Sequence, residues 1–194
     1  DPRLITGQGS FVDDINLPGM LHVAVLRSPH AHARVKSIDT AAASSAPGVV
    51  AVLTAEDIEG VLQHVPTGIS VYEGKFDHLE APEHPVLARG KVCYVGQPVA
   101  MVVAQDSNLA RDALELIQTD YEPLAPILDP LEIVNKDTIP IHDEVGTNLG
   151  LRVRHQGGDL DAAFGQADRV IRQSYHLQRL APAPMEARGV AADY

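Results

Sequence analysis

The spacing of apolar residues changes in the middle of the stretch KVCYVGQPVAMVVAQDSNLARDALELIQ, residues 91–118. Residues 92–95 form a β-prone run, Gly96, Gln97 and Pro98 supply turn chemistry, and residues 99–104 are apolar throughout, as in a strand covered on both faces. Asp106 and Ser107 then offer capping oxygens, and Leu109, Ala113, Leu116 and Ile117 recur at helical spacing. The pattern predicts strand, turn, strand and helix in succession, with the helix lying on the sheet.

The same reading extends in both directions. Residues 1–19 are rich in Gly, Asp and Pro and predict an extended entry segment. Residues 20–27, MLHVAVLR, predict a strand ended by Ser28-Pro29, because proline removes a ladder donor. Further strands are predicted over 34–38 and 49–53. A small-residue helix over 39–45 is capped by Asp39 and stopped by Pro47-Gly48, and a short helix opens at Thr54 with Asp57 at its third position. Residues 60–90 carry Pro66, Gly68, Gly74, Pro82 and Pro85 and three scattered histidines, His64, His78 and His84. They read as a long loop of the kind that serves as a lid or partner surface, or as a mobile spacer. Residues 119–128, with Pro123 and Pro126, leave the sheet along an edge, and 129–148 form a connector.

Beyond the connector, Asp159 caps a short helix running through Phe164. Residues 168–180, DRVIRQSYHLQRL, alternate as a half-exposed strand with Val170, Arg172, Ser174, His176 and Gln178 on one face. Residues 189–194 begin another strand that lacks a partner, which implies further chain. The expectation is an α/β (α+β) domain over residues 1–149, with a mixed sheet, packed helices and an acidic connector, followed over 150–194 by the start of a second α+β domain.

Composition narrows the class. With 45% hydrophobic and 21% charged residues, a chain of 194 residues can bury a useful core. The formal net charge of −11 argues against a nucleic-acid or anionic-membrane surface, which needs a basic face. Ten Asp and Glu between residues 106 and 144, against Arg111 and Lys136, concentrate the acidity in the connecting region, as a solvated face or an acid-lined metal site. A single cysteine, Cys93, excludes an internal disulfide and reads as a buried, inert thiol in a reducing compartment. Neither a signal peptide nor a bilayer-length apolar run is evident, so the cytoplasm is expected. The chain begins at Asp1 rather than at methionine, as a processed or excised piece would.

Candidate chemistry is sparse. His30 and His32 alternate in PHAHAR and could offer two metal ligands from one side of an extended segment, but Cys, Asp and Glu are missing nearby and a third ligand would have to come from elsewhere. Glu186 and Arg188, beside Met185, form either a polar cluster or a surface pair. No nucleophile elbow, phosphate loop, dinucleotide fingerprint or zinc-spaced cysteine pair occurs, and Gly7-Gln8-Gly9 is too short to cradle a phosphate.

Four segments together go further: DPRLITGQGSFVDDINLPGMLHVAVLRSPHAHARVKSID, APGVVAVLTAEDI, KVCYVGQPVAMVVAQDSNLARDALELIQTDYEPLAPILD and LQRLAPAPMEARGVAADY. In this order the chain resembles the start of the large, molybdopterin-binding subunit of the xanthine dehydrogenase and aldehyde oxidase family, the molybdenum hydroxylases. The resemblance implies an α/β hammerhead domain, with residues 182–188 early in the first molybdenum-cofactor-binding domain. It implies a complete enzyme that hydroxylates an aldehyde, purine, N-heterocycle or carbon monoxide with water-derived oxygen. Electrons would leave through 2Fe-2S clusters to FAD on partner components.

The family's glycine-rich cofactor loop, its molybdenum-facing glutamine and its glutamate base find no match here. Catalytic, cofactor-binding and metal-binding residues are therefore not expected in this chain, which by itself would be inactive. The resemblance does imply that the variable loop borders the substrate channel, giving Val71, Tyr72 and Phe76 a role as its apolar wall. The partners implied are the remainder of the large subunit, iron–sulfur and FAD components and a small-molecule substrate, in an enzyme that oligomerises. The alternative is a stand-alone protein-interaction module with the same fold and no redox chemistry.

Overall fold

The structure, a computed structural model, describes residues 2–66, 68, 78–79, 81–135, 138–153, 155, 157–178, 180–184 and 186–193. In chain order the elements are α1 (Pro2–Ile5), β1 (His22–Arg27), β2 (Ala33–Asp39), α2 (Ala41–Ser44), β3 (Val49–Leu53), β4 (His78–Leu79), β5 (Lys91–Val92) and β6 (Pro98–Ala104). They continue with α3 (Ser107–Leu114), β7 (Gln118–Pro123), α4 (Pro130–Asn135), β8 (Leu151–Arg152) and α5 (Leu160–Gly165). Two compact units result, Leu21–Arg154 on the one hand and Asp1–Met20 with His155–Tyr194 on the other.

The larger unit is built on two three-stranded sheets, ordered β1-β6-β3 and β5-β2-β7, with β4 and β8 as a separate pair. In the first sheet, Ala24 and Val52 both oppose Val102 of the central strand, so alternate residues of three strands share a face. Ala100, Val102 and Ala104 turn that face toward Ala43 of α2 and Ala110 and Ala113 of α3, with Leu26 and Val49 at the margin. Small residues dominate the contact and let the helices approach closely. Gly48, at φ 76°, turns the chain from α2 into β3, and a Cβ there would come 2.5 Å from Leu109 Cδ1. A second cluster of Ala33, Ala88, Val92 and Val99 joins β6 to the other sheet.

The α/β class holds, and β3 and the apolar central strand lie where the pattern puts them. The strand pairs among the described residues are all antiparallel, where a mixed sheet is expected. The physical reason is that α2 and α3 cover the same face of β1-β6-β3, so the doubly covered arrangement that favours parallel strands does not arise.

Other elements differ locally. The strand over 92–95 is cut to Lys91–Val92, because residues 93–97 fold into a turn with Gly96 at φ 86°. Asp106 caps α3 by accepting from the N–H groups of Asn108 (2.8 Å) and Leu109 (2.9 Å), while Ser107 is the first helical residue. The helix ends at Leu114, so Leu116 is exposed, and Ile117 reaches the core from beyond the helix. Asp57 Oδ2 accepts from Thr54 N–H, but Thr54 Oγ1 donates to the same carboxylate instead of capping an N–H, and only turns follow. Asp39 caps the one-turn α2 from the end of β2, its Oδ1 accepting from Ala41 N–H at 2.9 Å. The connector over 129–148 contains α4, which Asp129 caps by accepting from Leu131 N–H at 2.9 Å.

In the smaller unit Asp159 caps α5 as expected, accepting from Ala162 N–H at 2.9 Å. No strand occurs among the described residues of 168–180 and 189–193. A strand exists only through its ladder, and the alternating residues Ile171, Tyr175 and Leu177 are exposed here rather than paired. Among the described residues no helix is long and apolar enough to cross a membrane.

Candidate functional site

A polar constellation lies where β1 hands over to β2. Arg27 Nη1 donates to the Gly96 carbonyl at 2.8 Å. Ser28 N–H donates to the Gln97 carbonyl at 2.9 Å, and Gly96 N–H returns a bond to the Ser28 carbonyl at 2.8 Å. Ser28 Oγ accepts from His30 N–H at 3.0 Å and donates to the His30 carbonyl at 3.1 Å. The buried Gln97 side chain closes the facing turn, its Oε1 accepting from Cys93 N–H at 2.7 Å. These bonds lock the strand ends together and leave little polar capacity for a ligand.

The two histidines of PHAHAR are separated by their surroundings. His32 is buried, and its Nδ1 bonds the Ala125 carbonyl at 2.9 Å, which requires the proton on Nδ1 because a carbonyl has none to give. His30 instead packs against Tyr121, ring centres 4.8 Å apart. Burial pushes the Tyr121 phenol above its ordinary value. Among the described residues no group of three or more His, Cys, Asp or Glu stands together as a metal site. His30 thus packs on a ring and His32 bonds backbone through Nδ1, while the buried His32 Nε2 has no hydrogen-bond partner among the described residues.

Cys93 is half-buried, with Sγ 3.9 Å from the Ile141 carbonyl. Burial raises its pKa, and the nearby carboxylates Glu144 and Asp143 add to this against the pull of Lys91, so the thiol form is favoured. Lys91 Nζ lies 2.8 Å from Asp143 Oδ2 and holds that carboxyl below its ordinary value. Glu186, in the smaller unit, accepts from the backbone N–H of Val12 at 3.1 Å.

A cleft of about 320 Å³ opens between β2 and the turn after β3, at the point where residues 88–90 rejoin the sheet. Val35, Ile38, Ala55 and Ala88 give it an apolar lining, and Lys36, Glu56, Glu59 and Arg89 its charges. Three of those charges are already engaged: Arg89 Nη2 is 2.9 Å from Glu59 Oε1, and Lys36 Nζ is 3.3 Å from Glu122 Oε2. Among the described residues the lining contains no His, Cys or Tyr, and the cleft can accommodate a chain segment or a small apolar group. Val71, Tyr72 and Phe76 lie outside the described residues. Leu87 and Ala88, from the far end of the same loop, are buried, and Ala88 N–H bonds the Pro98 carbonyl at 2.8 Å. Their anchoring role and that of Gln97 were not marked by periodicity, since each depends on a partner distant from its own local pattern.

The family model described as aldehyde oxidase and xanthine dehydrogenase, a/b hammerhead domain, matches residues 6–125. The chain belongs to this hammerhead family. The match takes in β1 through β7, with the polar corner between β1 and β2 and the lining of the cleft. The nicotine 6-hydroxylase large subunit of Paenarthrobacter nicotinovorans is 42% identical over 194 residues, covering 100% of this chain and 23% of that protein. The carbon monoxide dehydrogenase large chain of Afipia carboxidovorans is 38% identical over 200 residues, covering 96% of this chain and 23% of the relative. Among solved structures, quinoline 2-oxidoreductase from Pseudomonas putida 86 superposes with a TM-score of 0.77 at 35% identity, over 89% of this chain and 21% of that one. The aldehyde oxidoreductase of Desulfovibrio gigas gives a TM-score of 0.70 at 26% identity, over 86% of this chain and 18% of that one. The hammerhead chain thus spans about a quarter of the length of the relatives that it matches.

Proposed function

We infer that this chain is the N-terminal hammerhead portion of the large subunit of a molybdenum hydroxylase, an oxidoreductase of the xanthine dehydrogenase and aldehyde oxidase type. Residues 1–149 are the hammerhead domain in this reading, and 150–194 begin the first molybdenum-cofactor-binding domain. The observation that carries it is the alignment of essentially the whole chain with one quarter of relatives named as large subunits, such as nicotine 6-hydroxylase. A nicotinate dehydrogenase relative from Eubacterium barkeri is itself named as a large molybdopterin subunit. A module complete in itself would not be expected to match a part of each relative in this way.

The described residues do not fit the cofactor. They gather no group of three or more His, Cys, Asp or Glu, and the polar side chains of the β1–β2 corner bond backbone, His32 through Nδ1 alone. No step of the reaction is therefore assigned to them. Molybdopterin is held by the remainder of the large subunit, and 2Fe-2S and FAD components carry electrons away in an oligomeric cytoplasmic enzyme. The work of this chain is support: a rigid sheet and helix scaffold from which the loop carrying Val71, Tyr72 and Phe76 forms part of the substrate channel. The substrate is a small molecule with an electron-poor carbon, such as an aldehyde, purine, N-heterocycle or carbon monoxide.

The test is to express the complete polypeptide with its partner components, then measure molybdenum content and dye reduction with one substrate of each class. Molybdenum near one equivalent per large subunit and turnover of at least one class are expected. A well-folded complex with neither would overturn the reading.

A further inference from the structure

Two residues of the 186–189 stretch meet the entry segment at the same point, Val12. Glu186 reaches it by a hydrogen bond, its Oε1 accepting from Val12 N–H at 3.1 Å across 174 residues of chain. Gly189 reaches it by leaving room: a Cβ there would stand 2.9 Å from Val12 Cγ1 and 3.2 Å from Val12 Cβ. The local structure of the entry segment explains why Val12 is the point of attachment. Val12–Asp14 form a single 3-10 turn, in which Asp14 N–H donates to the Phe11 carbonyl at 3.0 Å. The first N–H groups of such a turn have no acceptor in its own backbone. Phe11 N–H finds one in the Asp14 carboxylate at 2.9 Å, and Val12 N–H finds one in Glu186. A carboxylate makes the stronger kind of bond to a backbone N–H.

We propose that residues 11–14 are a strap fastened onto the 186–189 stretch, and that the domain beyond the connector is built from two separated pieces of chain, this entry segment and the stretch from His155 onward. The grouping of Asp1–Met20 with His155–Tyr194 in one compact unit agrees with this. Glu186 supplies the fastening and Gly189 the close approach. A cut at residue 150 would leave the strap with the hammerhead portion and release the 186–189 stretch from its partner. The inference rests on residues 150–194 being the start of the next domain, as in the functional assignment above.

Hydrogen–deuterium exchange in the complete polypeptide, assembled with its partners, tests the strap. Glu186→Ala is expected to speed exchange in peptides spanning residues 9–16 by about fivefold or more, while peptides of β6 stay unchanged. Glu186→Gln keeps an acceptor and should give a smaller rise. Gly189→Ala pushes a methyl group at Val12 and should speed exchange in both segments by a similar factor. Val12→Ala added to it removes the nearest atom in the way, and the double variant is expected to exchange about twofold or more slower than Gly189→Ala alone. Unchanged exchange over 9–16 in Glu186→Ala, an equal rise in β6, or a double variant no slower than Gly189→Ala would overturn the proposal. Molybdenum content and turnover in the same preparation report on the functional assignment separately. Protection over 9–16 that depends on Glu186 in a molybdenum-free protein would spare the strap and sink that assignment; turnover with 9–16 exchanging freely in the parent would do the reverse.

Discussion

Gln97 Oε1 accepts the backbone N–H of Cys93 at 2.7 Å and bridges the turn between β5 and β6, beside the 3.3 Å bond from Gln97 N–H to the Tyr94 carbonyl. Gln97 is only 6% exposed, so the Cys93 N–H has little recourse to water if the acceptor is removed. Gln97→Met keeps the length of the side chain and removes the oxygen. The expected cost is about 1–3 kcal/mol, the usual penalty for an orphaned buried donor. Chemical denaturation of parent and variant would measure it, and a difference within about 0.5 kcal/mol would mean that the turn is held by other bonds.

Val102 occupies the middle of β6 with no exposure, between Ala24 and Val52 and beneath the helices. Val102→Asp places a carboxylate there without a partner. Loss of soluble protein, or a destabilisation of several kcal/mol after the group neutralises itself, is the expected result. Val102→Ile serves as the control, with a cost of about 1–3 kcal/mol at most. A soluble aspartate variant melting within a degree of the parent would remove β6 from the core.

How far the sequence reveals this architecture depends on the range of the forces involved. The caps at Asp106 and Asp159 are legible because a capping oxygen and its N–H partners lie within three residues. β3 is legible for a similar reason, as a short apolar run between a Pro-Gly turn and a threonine. Strand direction is not local: β2, ending at Asp39, meets β7, beginning at Gln118, and no periodicity records which way each runs. The alternation over 168–180 shows the converse, since a pattern fit for a strand makes none among the described residues without a ladder partner. At the candidate site, the alternation of His30 and His32 suggested a shared side. Tyr121 and the Ala125 carbonyl, contributed from far along the chain, decide their different fates.

The Thr54–Asp57 pair gives a signed prediction for pH. The backbone N–H and the hydroxyl of Thr54, each 2.7 Å from Asp57 Oδ2, hold the Asp57 carboxyl below its ordinary value of 3.8. A carboxyl lowered in the folded state contributes stability that is complete above its unfolded value and is lost as pH falls through its folded value. The Tm difference between the parent and Asp57→Asn should therefore favour the parent at about pH 7 and disappear by about pH 2. The group is exposed, so the difference will be small and is best read from paired melts. A gap that persists unchanged at low pH would assign the effect to something other than this charge.

The stretch that carries Val71, Tyr72 and Phe76 provides the prediction closest to function. The chain has five tyrosines and three phenylalanines, and two of them stand in this one Gly- and Pro-rich stretch. If the stretch forms part of the channel wall, their rings touch substrate rather than core, and their removal should act on selectivity and not on folding. In the complete enzyme, Tyr72→Ala and Phe76→Ala are expected to change the ratio of kcat/KM between a small and a bulky substrate by about tenfold or more. Tm should stay within about 2 °C, as for substitutions outside a packed core. Val71→Ala, a smaller truncation, should shift the ratio in the same direction by less. Steady-state kinetics with both substrates, set beside melting curves, separates the two roles. Unaltered selectivity with a large loss of stability would make these aromatics core residues and remove the channel from this part of the chain.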